Sequence, residues 1–236
     1  MIGITCDVDW APESVIEYTL DLFESNKICC TLFATHKSQV LDNCNRNYFE
    51  IGLHPNFNFL LNNKSDKSFT EIIDDLKILY PEAMGIRSHC LTQNTIMTEA
   101  IAKRGFSYES NDLVPFGKNL PGIKLWNNLV RIPIIWEDDL HWRYNKGFEN
   151  HGIDMNEQGV KIFNFHPIHI FLNTPTAAFY NGVKEHYQNP DALNKLVNKE
   201  IPGTRDLLLS LFNEIKERNL DPLKMSAIAE GILNSN

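Results

Sequence analysis

Through the first half of the chain, short apolar runs alternate with longer amphipathic ones. That alternation confines the fold to parallel β-α-β units. Residues 2–6, 28–34 and 48–53 are brief and apolar, the pattern of strands buried on both faces. Between the first two lies a helical stripe of Val15, Ile16, Thr19, Leu20 and Phe23 within residues 13–24. Ser68 and Glu71 stand at capping-box spacing ahead of Phe69, Ile72, Ile73, Leu76 and Tyr80, and Pro81 stops that helix. Thr92 is placed to cap a further helix carrying Ile96, Met97, Ala100 and Ile101, with Gly105 at its C-terminal end. Residues 129–136 and 161–165 read as strands. A helix opens at Thr204 with Leu208, Leu211, Phe212 and Ile215, and residues 225–233 are helical again. Residues 111–122 and 143–159 read as long polar loops, a feature often tied to function. Residues 169–202 show no clear period.

At 236 residues the chain is expected to form one domain, 1–236, able to bury a sizeable core without staples. A net charge of −8 argues against a nucleic-acid partner, because phosphate binding needs a basic surface. No apolar run approaches the length of a membrane span. The first strand is expected to start almost at Met1, which leaves no room for a signal peptide. Of the five cysteines, Cys6, Cys29 and Cys30 fall in strand-like runs and are expected to be buried thiols. None forms a Cys-x-x-Cys pair, so a reducing, cytoplasmic setting is the expectation.

In parallel α/β folds, side chains just past the C-terminal strand ends face the active site. Here the first strand is followed by Asp7-Val8-Asp9-Trp10, the third by His54-Pro55-Asn56-Phe57-Asn58, and residues 84–86 by Arg87-Ser88-His89. Residues 129–135 lead into Trp136-Glu137-Asp138-Asp139, and residues 162–165 into His166-Pro167-Ile168-His169. Five such endings on one chain suit hydrolysis. A carboxylate and neutral imidazoles hold a borderline metal such as zinc. A second carboxylate, kept off the metal, accepts a proton from water, and a separate histidine protonates the leaving group. An arginine beside the base keeps it ionised.

These strand-end motifs resemble those of the polysaccharide deacetylases, the NodB-like domain of carbohydrate esterase family four. Within that family the chain most resembles the divergent WbmS-like branch associated with surface-polysaccharide gene clusters. The resemblance spans about residues 2–166, with a weaker echo at 223–232. It implies an α/β fold, a distorted (β/α) barrel of the NodB type. It assigns Asp7 as catalytic base and Asp9 as metal ligand, with one residue inserted between the family's paired aspartates. His54 matches the first histidine of the family's second motif, and Asn58 stands where the second ligand histidine would be. Arg87 matches the arginine that holds the base. His89 replaces a proline and becomes either a further metal ligand or a substrate contact. Trp136 and Asp138 or Asp139 match the fourth motif, and His166 after Phe163-Asn164-Phe165 matches the general acid.

The resemblance further implies a divalent ion, zinc in the first place, with nickel, cobalt or manganese as alternatives. The expected activity removes an acyl group, N-acetyl, from a small-molecule sugar that is nucleotide- or lipid-linked. Two other readings stay open: a hydrolase of a small non-sugar amide on the same fold, and a catalytically silent sugar-binding relative. Trp10 and Trp136 are core aromatics or platforms for a sugar ring, with Asp138 beside them as a substrate contact. His36 is read as a surface or structural residue and His169 as structural or substrate-proximal, and nothing in the sequence orients a base towards Cys90.

Overall fold

The computed structural model describes residues 1–62, 64, 66–144 and 146–235. In chain order the elements are β1 (Ile2–Asp7), α1 (Glu13–Asn26), β2 (Cys30–Ala34), α2 (Gln39–Asn43), β3 (Phe49–Leu53), α3 (Asn58–Leu61), α4 (Phe69–Leu79), β4 (Gly85–Ile86), α5 (Thr95–Lys103), β5 (Tyr108–Glu109), β6 (Ile123–Lys124), β7 (Val130–Arg131), β8 (Trp136–Glu137), α6 (Asp138–His141), β9 (Lys161–Phe165), α7 (Pro167–Leu172), α8 (Ala177–Val183), α9 (Pro190–Leu196), α10 (Thr204–Glu217) and α11 (Met225–Asn234). Among the described residues the strands form one sheet in the order β6-β7-β5-β4-β3-β2-β1-β9-β8. Only the β6–β7 pair in that sheet is antiparallel.

The run expected as one strand over 129–136 is two. Pro133 has no N–H to give a ladder and interrupts it. The first half, β7, pairs with β5, and Ile132 N donates to Glu109 O at 3.0 Å. The second half turns to the opposite margin, where β8 pairs with β9 and Ile135 N donates to Ile162 O at 3.0 Å. Between them Ile134 N donates to Asp112 O, and Val114 N to Ile134 O, each at 2.8 Å. The sheet therefore curls until both margins meet one stretch of backbone, giving a distorted barrel. Residues 112–116, expected as open loop, are tied into this seam.

Period-two alternation along each strand separates an outer layer from an interior. Ile2, Ile4 and Cys6 of β1 pack outward with Val15, Ile16, Leu20 and Phe23 of α1. Phe33, Tyr108, Val130 and Ile162 fill the interior, and Met225, Ile228, Ala229 and Ile232 of α11 close it from one end. The Tyr108 ring crosses β4 so closely that a Cβ on Gly85 would lie 1.8 Å from it, so only glycine fits there. The alternation carries Asp7, His54, Arg87 and His166 onto the inner face at the strand ends.

Local signals explain most helix limits. Ser68 Oγ accepts from Glu71 N while the Glu71 carboxylate accepts from Ser68 N, the reciprocal cap expected for α4. Helix α5 is capped by Asn94, whose side chain accepts from Met97 N, rather than by Thr92. Thr92 closes the preceding 3₁₀ turn, His89–Leu91. Gly105 takes the left-handed conformation (φ 77°) after α5. Helix α1 runs three residues past the end of its apolar stripe, from Phe23 to Asn26, and is capped by Lys27, φ 59°. The stretch 169–202 holds the end of α7 together with α8 and α9. All five cysteines are free; Cys29 is only half-buried, its thiol donating to Pro222 O. Among the described residues no helix is long and apolar enough to cross a membrane.

Candidate active site

At the end of β1, Asp7 is buried and held from both sides. Arg87 Nη1 donates to Asp7 Oδ1 and Asn164 Nδ2 to Asp7 Oδ2, each at 2.9 Å. Arg87 is itself enclosed: Nε donates to Ser110 O, Nη2 to Ser110 Oγ, and Nη1 also to Thr5 Oγ1 and Asn164 Oδ1. Its guanidinium lies 4.2 Å from the centre of the Phe33 ring. Burial pushes the Asp7 carboxyl up, but Arg87, then His54 and His166, outweigh it and hold the group below its ordinary value. Asp7 is thus an ionised carboxylate whose position is fixed by two donors.

Two residues on, the chain turns sharply. Asp9 and Trp10 both have positive φ, 45° and 57°, strain that non-glycine residues carry only when their surroundings impose it. The turn brings Asp9 Oδ1 to 3.2 Å from His54 Nε2 and 3.1 Å from His89 Nδ1. The His54 and His89 rings meet edge to face at 5.5 Å. His89 reaches this place through a second strained pair, Cys90 and Leu91, at φ 56° and 54°. Burial raises the Asp9 carboxyl, yet its bonds to His54 and His89 take it far below the carboxylate range. The bond to Asp9 likewise raises His89 against its burial. Donor atoms of Asp9, His54 and His89 all lie within 4.8 Å of one another. One carboxylate oxygen and two imidazole nitrogens are a donor set suited to a borderline divalent cation. His54 Nδ1 is enclosed without a hydrogen-bond partner and lies 3.8 Å from Asp7 Oδ1. The Asn58 amide nitrogen donates to Cys90 Sγ at 3.4 Å.

Opposite, His166 follows β9. Asp138 grips it twice: Nδ1 contacts Asp138 Oδ1 at 2.7 Å, and the His166 backbone N donates to Asp138 Oδ2 at 2.8 Å. Nε2 points back across the site, 3.7 Å from Asp9 Oδ2. Burial lowers the His166 imidazole, but Asp138, then Asp139 and Asp9, more than reverse this and raise it well above the ordinary value. The pairing with Asp138 thus favours the imidazolium form of His166.

A profile of the WbmS-like polysaccharide deacetylases matches residues 4–184. The chain belongs to that family. A crystal structure from Bordetella bronchiseptica, described as a polysaccharide deacetylase involved in O-antigen biosynthesis, is 37% identical and superposes with a TM-score of 0.84, covering 90% of each chain. The peptidoglycan deacetylase PdaC from Bacillus subtilis shares the fold at 13% identity, with a TM-score of 0.51 over 100% of this chain and 92% of its own. A comparison with curated proteins gave no match.

Two expectations for this WbmS-like chain need correction. Trp136 is no stacking platform: it is 2% exposed, packed on Phe163 and Phe165, with Nε1 donating to His141 Nδ1. The register of β8 on β9 sets Trp136 beside Phe163 in the outer layer and turns Glu137 towards the cleft. Asp138, expected beside the substrate, is fully buried behind His166. Trp10 is the exposed aromatic, 37% accessible, edge-on to His89. It lines a cavity of about 440 Å³ with His166, His169, Tyr180, Lys184 and Tyr187. A second cavity, about 350 Å³, contains Asp7, His54, Ser88, Glu137 and Arg143. Both share Asp9, His89, Asp139 and His166, so they are two arms of one cleft meeting at the charged centre.

Sequence reasoning passed over two members of the WbmS-like site. The single Asn164 amide nitrogen bridges Asp7 Oδ2 and Glu137 Oε1, at 2.9 and 3.0 Å. Glu137 faces the cleft, and burial, then the Asp139 charge, pushes its carboxyl up to about 8. The signal for Asn164 was one polar residue inside an otherwise apolar strand, which must find partners when buried.

Proposed function

We propose that this chain is a metal-dependent hydrolase that removes an acyl group, N-acetyl, from a sugar precursor of a surface polysaccharide. The observation that carries this reading is the meeting in one cleft of an arginine-held carboxylate, a carboxylate–imidazole donor set and an imidazolium backed by Asp138. The O-antigen role in the description of the Bordetella relative supports the class of product, and Trp10 in the cleft supports a sugar ring.

Asp9, His54 and His89 would hold the divalent ion, zinc by the chemistry of two nitrogens and one oxygen. When bound, such an ion polarises the acyl oxygen and makes water more acidic. Asp7 accepts the proton of the attacking water, because Arg87 and Asn164 keep it ionised and aimed. The water oxygen bonds to the acyl carbon. His166 gives its Nε2 proton to the sugar nitrogen as the carbon–nitrogen bond breaks, and Asp138 stabilises the imidazolium beforehand. The products are a carboxylate and a free amine on the sugar.

The test is acetate release from nucleotide-linked and lipid-linked N-acetyl sugars by the zinc-loaded protein, with metal content measured before and after. Release from one class, lost in His54→Ala together with the bound metal, supports the reading. No release from either class, with no metal retained by the wild type, refutes it.

A further inference from the structure

The strained turn that presents Asp9 is held from outside the strand ends, by residues 187–188. Tyr187 donates its hydroxyl hydrogen to the Asp9 carbonyl oxygen at 2.5 Å. The next residue, Gln188, donates its amide to the Trp10 carbonyl oxygen at 2.9 Å. From the other side Trp10 N donates to Thr35 Oγ1, also at 2.9 Å. Consecutive left-handed non-glycine residues are unfavourable and persist only where surrounding contacts over-determine them. Within the turn Ala11 N donates to Val8 O at 2.9 Å, and the Asp9 side chain meets His54 and His89; beyond these, the three bonds above hold the two residues, and two of the three come from consecutive residues of a segment 178 positions away in the chain.

We infer that Tyr187 and Gln188 are positioning residues that latch the Asp9–Trp10 turn and so set the carboxylate of Asp9 towards His54 and His89. This rests on the metal-binding reading above, which the experiment separates from it. Neither residue touches the donor atoms; both act through the backbone carbonyls of the turn. The same segment walls the cleft with Tyr180 and Lys184. It lies just past the part matched by the family profile, which ends at residue 184. The latch is therefore a feature read from this chain's own structure. Were the two bonds absent, the turn would relax towards ordinary negative φ and swing the carboxylate off the imidazoles. Groups that orient a metal ligand from behind typically change metal affinity about 10–100-fold when removed.

Tyr187→Phe removes one oxygen and keeps the ring, and Gln188→Ala changes a surface side chain. Both retain the packing of α8 and α9. The first measurement is hydrogen–deuterium exchange of the metal-free full chain over residues 8–11. The latch predicts lost protection there in Tyr187→Phe, and more in the double variant, with β9 unchanged. Unchanged exchange over 8–11 overturns the proposal whether or not the protein binds metal. The second measurement is zinc affinity by competition with a chromophoric chelator. The proposal expects about a tenfold weaker affinity in Tyr187→Phe. Faster exchange with zinc affinity equal to wild type overturns the positioning role. A wild type that binds no zinc sinks the metal-binding reading, and the positioning role with it.

Discussion

Replacing Asp138 by Asn tests the acid side of the site most directly. The substitution keeps the size of the side chain and removes its charge from a fully buried position 2.7 Å from His166 Nδ1. At that distance, with an effective dielectric constant near 20, the Coulomb attraction is about 6 kcal/mol, which sets a ceiling. A hydrogen bond to a charged group is worth about 1.5–3 kcal/mol net, which sets a floor. At 1.36 kcal/mol per unit, the floor corresponds to a drop of about one to two units in the His166 pKa. The proposed mechanism needs His166 protonated, so activity should be lost as pH rises through that value. The alkaline limb of the kcat/KM profile should therefore move to lower pH by one to two units in Asp138→Asn, with the acid limb in place. Direct titration of the His166 ring nitrogens by NMR in the metal-free protein should show the same displacement. An alkaline limb that stays put while the NMR titration moves would show that His166 is not the proton donor. A titration that does not move would refute the claim that Asp138 sets its charge.

Other outcomes follow from the same geometry. Asp7→Asn should lower kcat by about 10²–10⁴ with little change in KM, the loss expected for a general base. Arg87→Met should cost about 3–5 kcal/mol of stability, read by denaturant unfolding, because it leaves the Asp7 carboxylate buried without its cation. Linkage has opposite signs for the two key groups. His166, raised above its ordinary 6.5, contributes stability that is complete below that pH and is lost as pH rises through the folded value. Asp7, held below its ordinary 3.8, contributes stability present above that pH and lost as pH falls through the lower folded value. Asp7→Asn should flatten the acid limb of a thermal-stability profile. Trp10→Ala should raise KM roughly three- to tenfold, the worth of one aromatic contact, with kcat nearly unchanged.

Much of the site was legible because strand periodicity and strand-end placement act together. Asp7, His54, Arg87 and His166 each follow an apolar run, and alternation then puts all four on one inner face. What the sequence does not display is backbone conformation that breaks local preference. The left-handed pairs at Asp9–Trp10 and Cys90–Leu91 contain no glycine to announce them, so the approach of His89 to Asp9 could be raised only as an alternative. The facing of Trp136 depends on how the chain redirects after Pro133, a tertiary matter. Asn94 displaced Thr92 as a cap because two good caps stood two residues apart and the preceding 3₁₀ turn took the first. Tyr187 lies in a region without period, and no local pattern ties it to a turn near the N-terminus.

Pro133 has a bearing beyond topology. By denying the strand one amide, it lets a single segment serve two neighbours in turn, and the handover occurs three to five residues before Glu137 and Asp138. The side chain that pairs with the His166 imidazole therefore hangs from the least regular join in the wall. Loosening that join, by temperature or by a substitution such as Ile134→Gly, would uncouple Asp138 from His166 while the rest of the barrel stayed intact. In this protein, proton-donating ability and seam integrity should fade together on heating, ahead of global unfolding.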